Sequence, residues 1–212
     1  MSEICTALHH LVKQAPHHFY PFDRSNLPQN GVYVVFEKGE LAHNTNRIVR
    51  IGTHNGQDRL FSRLNEHFVN ENKDRSIFRK NIGRALLSKS HDPFLSQWEI
   101  DLTTSKARQT LAPKVDQVRK KQVEALVSDY IRSNFSFCVI PIADYQKRKY
   151  FEAKLISTIS NCHICRPSST WLGLSSPVEK IRESGLWNFT QLWKDSLTWL
   201  ELDSIKQSLN LE

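Results

Sequence analysis

Two short runs rich in β-branched and aromatic residues stand near the start of the chain, Val32-Tyr33-Val34-Val35-Phe36 and Arg47-Ile48-Val49-Arg50-Ile51. Turn-forming residues bound them: Asn26-Leu27-Pro28-Gln29-Asn30-Gly31 before the first, Gly52-Thr53-His54-Asn55-Gly56 after the second. This pattern predicts two strands joined as a hairpin by the polar loop 38–46. Since side chains alternate along a strand, Val32, Val34 and Phe36 face a core with Val49 and Ile51, and Tyr33 and Arg50 share the opposite face.

Past the hairpin the hydrophobic period becomes helical. With Asp58 as N-cap, residues 59–69 put Leu60, Phe61, Leu64 and Phe68 on one stripe and Arg59, Arg63 and His67 on another. A second helix is predicted over 76–88, with Ile77, Phe78, Ile82, Leu86 and Leu87 inward. Further on come a helix over 117–132, a strand over 135–142, and a helix over 147–160 carrying Phe151, Leu155, Ile156 and Ile159. Residues 90–115 break the pattern. They offer a short strand around Trp98-Glu99-Ile100-Asp101-Leu102 and then a basic stretch, and read as an inserted arm. From Pro177 two short amphipathic helices are predicted, one ending near Gly185 and one over 190–209.

This order implies an α+β fold, a small three-stranded antiparallel sheet flanked by helices. It divides the chain into a polar N-terminal segment (1–27), a core domain (28–175) with its insertion at 90–115, and a helical C-terminal extension (176–212). His9, His10, His17 and His18 fall in the first of these and read as tail or surface.

The 212 residues are 39% hydrophobic, enough for a sizeable core, and carry a formal charge of +7. That balance points to a polyanionic partner. Lys106, Arg108, Lys114, Arg119, Lys120 and Lys121 cluster with only Asp116 to oppose them. They form either a solvated face or, if they border the active cleft, a phosphate-tracking surface. Neither G-x-G-x-x-G nor a Walker A pattern is present, so a nucleotide cofactor has no cradle. No basic start leading to an apolar run opens the sequence, and no apolar stretch could span a bilayer, which sets the expectation of a soluble, cytoplasmic protein. Cys138 lies in an apolar strand, where a buried thiol is usual. Cys162-His163-Ile164-Cys165 is half of a tetrahedral zinc site, which Cys5 and several histidines could complete. With one close pair in view, the sequence favours four ordinary thiols.

Gly31-Val32-Tyr33, Arg50-Ile51-Gly52, Arg63, His67 and Glu152 stand in an order that resembles the catalytic core of the GIY-YIG nucleases. The resemblance implies an endonuclease hydrolysing DNA, with RNA also open, in a restriction or defence setting. It implies Mg²⁺ or Mn²⁺ held by Glu152, and Tyr33, Arg50, Arg63, His67 and Glu152 as catalytic residues. A concerted double-strand cut would need two such sites, hence a dimer. Read from the helix pattern alone, Glu152 is an ion-pair partner of Arg148 or Lys147, and Arg63 of Glu66 or Glu37. Two departures from the family bear on mechanism. Val32 replaces Ile, a change of one methylene, whereas Arg50 replaces a second Tyr commonly assigned to activating water. Arginine stays protonated and cannot be that base. Beside Tyr33, however, a cation would favour phenolate, and His54 and His67 are rival bases. The family's late Asn has no clear counterpart, and Ser168 or Ser169 stands nearest in order. Two other classes stay open: a nucleic-acid-binding module that has lost catalysis, and an interaction domain docking through Trp187, Trp193 and Trp199.

Overall fold

The computed structural model describes residues 2–211. Its hairpin is longer than the two apolar runs suggest: β2 (Gly31–Ala42) and β3 (Thr45–Gly52) meet at His43-Asn44, whose φ values are 52° and 57°. Two consecutive left-handed residues match the twist of paired strands, so the predicted loop 38–46 is mostly strand. Buried Glu40 belongs to it because Arg47 on β3 pairs with it at 2.7 Å. Register pairs Val35 with Arg50 and Phe36 with Ile48, leaving Val49 as the extra residue of a bulge. Tyr33 and Arg50 do share a face. Val49 joins them there, against simple alternation, because the bulge adds half a period.

The sheet has four strands rather than three, in the order β1-β4-β2-β3, with antiparallel neighbours throughout. β4 (Phe135–Pro141) pairs with β2 as the hydrophobic run predicts, and β1 (His18–Phe19) adds to its far edge. Two residues carry no alternation to read, so β1 has no sequence signature.

Both faces of the sheet are covered. One core gathers Val32, Val34, Phe36, Ile48 and Ile51 beneath α1 (Ser2–Gln14), α7 (Tyr145–Ser160) and α9 (Trp199–Ser208). The other gathers Tyr33, Val35 and Val49 beneath α2 (Leu60–Phe68), α3 (Ile77–Lys89) and α6 (Gln117–Asn134). The N-terminal segment is therefore no polar tail: Ile4, Cys5, Leu8 and Val12 form a buried stripe of α1, and His9 is buried with them at 1% exposure.

The region 90–115 is helical rather than stranded, through α4 (Leu95–Trp98) and α5 (Ser105–Leu111). Its first half is packed, not an arm. Trp98 is fully buried, donates its indole N–H to the Lys80 carbonyl at 3.0 Å, and lies where a Cβ on Gly83 would sit. α5 carries no buried residue.

The C-terminal residues close the sheet. After α8 (Glu179–Ser184), the Trp187 N–H donates to the Val49 carbonyl at 2.8 Å. The Asn188 side chain accepts from the Ile51 N–H at 3.0 Å and donates to the Ile51 carbonyl at 2.9 Å. The second predicted helix begins only at Trp199, because residues 186–198 serve this edge and the turn that follows.

Candidate functional site

The end of β3, α2, α7 and the 188–191 segment surround a cleft of about 460 Å³. Arg50, Arg63 and Glu152, far apart in sequence, all line it, joined by His54, Arg59 and Lys149. Four of these lining groups are cations, Arg50, Arg59, Arg63 and Lys149, against two carboxylates, Glu66 and Glu152. The cleft is thus suited to an anion.

Glu152 arrives on α7, which packs over β2 and β3. One carboxylate oxygen accepts the Thr53 N–H at the end of β3 at 3.1 Å, and the other accepts from Lys149 at 2.6 Å. Its neighbours differ from the Arg148 and Lys147 of the helix-pattern reading. Fully buried Arg148 instead donates to backbone carbonyls of Ile142, Ala143 and Gly56. Lys149 is half exposed and can leave, whereas the Thr53 N–H is fixed backbone. A carboxylate so oriented, in a cleft open to water and phosphate, fits Mg²⁺, which keeps waters and takes few protein ligands.

Arg63 lies between Glu66, at 2.7 Å, and the Arg75 carbonyl, at 3.1 Å. Burial pulls its guanidinium down, but the neighbouring Tyr33 and Glu66 outweigh this and hold it above the usual arginine range. Arg50 is 5% exposed, donates to the Trp187 carbonyl at 3.2 Å and lies over the Phe78 ring, while its Nε has no partner. Both guanidiniums have donors left for a phosphate.

Tyr33 and His67 lie beneath the cleft rather than in its wall. Tyr33 is 1% exposed, and its hydroxyl meets His67 Nε2 at 2.8 Å. His67 Nδ1 in turn meets Ser76 Oγ, the N-cap of α3, at 2.7 Å. Burial, then the charges of Arg63, Arg50 and Arg79, hold His67 well below the usual histidine range, so its ring is neutral. Opposite Tyr33 in the register stands Gly52, where a Cβ would lie 2.2 Å from the phenol oxygen. The second motif ends in glycine because the first motif's tyrosine lies across it.

His54 was a secondary candidate in the sequence, and the structure raises it. It is 3% exposed and lines the cleft, and both ring nitrogens lack partners. Burial and the nearby Arg148 push it down to about 4, leaving a neutral imidazole at pH 7. Ser168, by contrast, is spent on Glu40 and does not line the cleft, and neither does Ser169. An Asn late in the chain that the sequence did not single out, Asn188, lines the cleft and is tied to Ile51. Its only sequence signal is the Trp187-Asn188-Phe189 break between two helical patterns.

None of the six clustered basic residues lines the cleft. Arg119 is paired with Asp92 and Lys120 with Asp74, which leaves Lys106, Arg108, Lys114 and Lys121 exposed. Of the three tryptophans considered for docking, Trp187 is fully buried and donates to Glu37 at 3.0 Å, while Trp193 and Trp199 are about half exposed. Among the described residues no helix is long and apolar enough to cross a membrane.

A family model described as a GIY-YIG domain matches residues 3–210. The match takes in the N-terminal helix and the C-terminal edge segment as well as the hairpin and the Glu152 helix. No curated relative and no solved structure matches the chain.

Proposed function

The chain belongs to the GIY-YIG family, whose members are in general metal-dependent nucleases, and on that premise we propose that it is a Mg²⁺- or Mn²⁺-dependent endonuclease hydrolysing DNA in a restriction or defence role. The observation that carries this reading is the convergence of Arg50, Arg63 and Glu152 in one cationic cleft.

Mg²⁺ or Mn²⁺ at Glu152 would supply Lewis-acid charge on the scissile phosphate. The protein groups do the rest. Thr53 N–H fixes the carboxylate, and Lys149 moves from Glu152 to the incoming backbone. Arg63 and Arg50 hold phosphoryl oxygens and neutralise charge that grows in the transition state. For the proton of the attacking water, His54 is favoured over Tyr33: its ring lines the cleft with both nitrogens buried and unpartnered, whereas the Tyr33 hydroxyl lies off the cleft wall and is engaged by His67. Tyr33 and His67 then act as positioning residues under Arg63. This accommodates Arg50 at the second motif, since the base is supplied five residues past Val49 rather than from the strand itself. Lys106, Arg108, Lys114 and Lys121 do not line the cleft and are read as a solvated face.

The test is supercoiled plasmid incubated with the purified protein and Mg²⁺ or Mn²⁺, then with chelator. Glu152→Gln should abolish nicking and leave DNA affinity within a few-fold. A Glu152→Gln protein that cuts like the wild type would refute the assignment. A wild type inert with both metals on DNA and RNA would favour a non-catalytic binding module, the reading that Arg50 in place of tyrosine supports.

A further inference from the structure

Three segments remote from the cleft bring sulfur and nitrogen donors to one point. Cys5 comes from α1, His43 from the left-handed turn between β2 and β3, and Cys162 and Cys165 from the segment after α7. The three cysteines are buried and His43 is half-buried. Cys5 Sγ lies 3.4 Å from Cys165 Sγ, and His43 Nε2 lies 3.2 Å from Cys165 Sγ and 3.5 Å from Cys162 Sγ. His9 joins Cys5, His43 and Cys165 in one cluster whose ligand atoms lie within 4.8 Å of one another, with its Nε2 at 3.8 Å from Cys165 Sγ.

We propose that Cys5, His43, Cys162 and Cys165 hold a structural zinc ion. Tetrahedral zinc with bonds of about 2.3 Å to sulfur and about 2.0 Å to nitrogen sets its ligand atoms roughly 3.5–3.8 Å apart. The observed separations fall within a few tenths of an ångström of that. All four cysteines of the chain are free, so the proximity is not that of a disulfide. Soft thiolates with one imidazole select zinc over Mg²⁺, and four protein donors leave no open position, as a structural site requires.

The hydrogen bonds around the histidines decide which of them is a ligand. Thr6 Oγ1 donates to the Ser2 carbonyl at 2.8 Å, so it accepts from His43 Nδ1–H at 2.7 Å. That leaves the His43 Nε2 lone pair directed at the sulfurs, the outer-shell arrangement typical of zinc-bound histidine. His9 is already satisfied: Nδ1–H donates to the Cys5 carbonyl at 2.9 Å, and Nε2 accepts the Ile48 N–H at 3.3 Å. Binding zinc through His9 would orphan the N–H of a fully buried residue. Cys162 therefore takes the fourth place, and His9 buttresses the site. The C-x-x-C pair alone looked insufficient in the sequence because its partners stand about 120 and 160 positions away. Zinc here would pin α1 and the hairpin turn to the end of the Glu152 helix, independently of the metal at Glu152.

The experiment measures zinc by elemental analysis on full-length protein purified without chelator, with Co²⁺ substitution as the spectroscopic probe. Wild type should carry one zinc per chain, and the cobalt form should show thiolate charge-transfer and tetrahedral d–d bands. Cys165→Ser, Cys162→Ser and His43→Ala should lose zinc, while Glu152→Gln and His9→Ala retain it, which separates this centre from the catalytic metal. Removing zinc from wild type with a chelator should lower Tm and adding it back should restore it, a readout that does not depend on any variant folding. Wild type that is isolated without zinc and takes up neither zinc nor cobalt when reduced would overturn the proposal. Loss of zinc in His9→Ala with retention in Cys162→Ser would overturn the choice of fourth ligand.

Discussion

Gly52→Ala probes the contact between the two name motifs directly. A methyl at position 52 would lie 2.2 Å from the Tyr33 phenol oxygen, 2.4 Å from Cζ and 2.8 Å from Cε2. Contacts that short cannot be met by a small shift, because the ring is itself 1% exposed and held by His67. Overpacking of this kind costs about 1–3 kcal/mol. In a chain of this size each kcal/mol moves Tm by about 2–4 °C, so the drop should be roughly 2–12 °C. The ring must also leave its place under Arg63, so DNA cleavage should fall well beyond what the loss of folded protein explains. Tyr33→Ala alone leaves a cavity costing about 3–5 kcal/mol. Combined with Gly52→Ala, the new methyl occupies part of that cavity, and the double variant should be more stable than the sum of the two by about 0.5–3 kcal/mol. Thermal and urea unfolding of the four proteins closes the cycle. Strict additivity, or a Gly52→Ala protein with wild-type Tm and turnover, would refute the packing argument.

Three further outcomes follow from the cleft. Arg63→Ala should lower turnover by about 100-fold or more, as loss of a transition-state charge clamp does; weaker DNA binding at unchanged turnover would reduce Arg63 to a ground-state phosphate contact. His54→Ala should remove cleavage while Tyr33→Phe retains most of it, and the reverse ranking in single-turnover kinetics would return the base to tyrosine. His54 and His67 are both held below the ordinary histidine value of about 6.5, largely by burial. The unfolded chain therefore binds more protons below that pH, and stability should fall as pH drops from 7, by several degrees of Tm, with the His54 contribution spent near pH 4; a Tm unchanged between pH 7 and 5 would contradict the buried neutral rings.

How much of this was legible depended on whether a signal was local. The stripe of Leu60, Leu64 and Phe68 identifies α2 because spacing alone sets a helix face, and Arg63 follows from it. Glu152 is likewise placed by its helix, although the pattern could not say that it would meet the Thr53 N–H 99 positions away. The bulge at Val49 left no trace, since valine suits either face. Residues 2–14 looked polar because three of them are His or Lys, yet His9 is buried by two backbone partners, Cys5 and Ile48, that no local reading supplies. Asp58 was expected to cap α2 and instead exchanges two hydrogen bonds with Asn30 at φ 56°. Asn188 escaped notice because its partner Ile51 lies across the fold, and only pairing in space reveals its use.

The closed edge of β3 bears on how two chains could cooperate. An open strand recruits a second copy by continuing its ladder of hydrogen bonds. Here the outward groups of Ile48, Val49 and Ile51 are taken by His9, Trp187 and Asn188. At the opposite edge β1 offers two residues. Neither border can template a continuous intermolecular sheet. Any pairing of two chains for cuts on both strands must therefore run through helix faces or through the DNA itself, and the orientation of the two clefts would then be set by the spacing of the cuts rather than by a shared sheet.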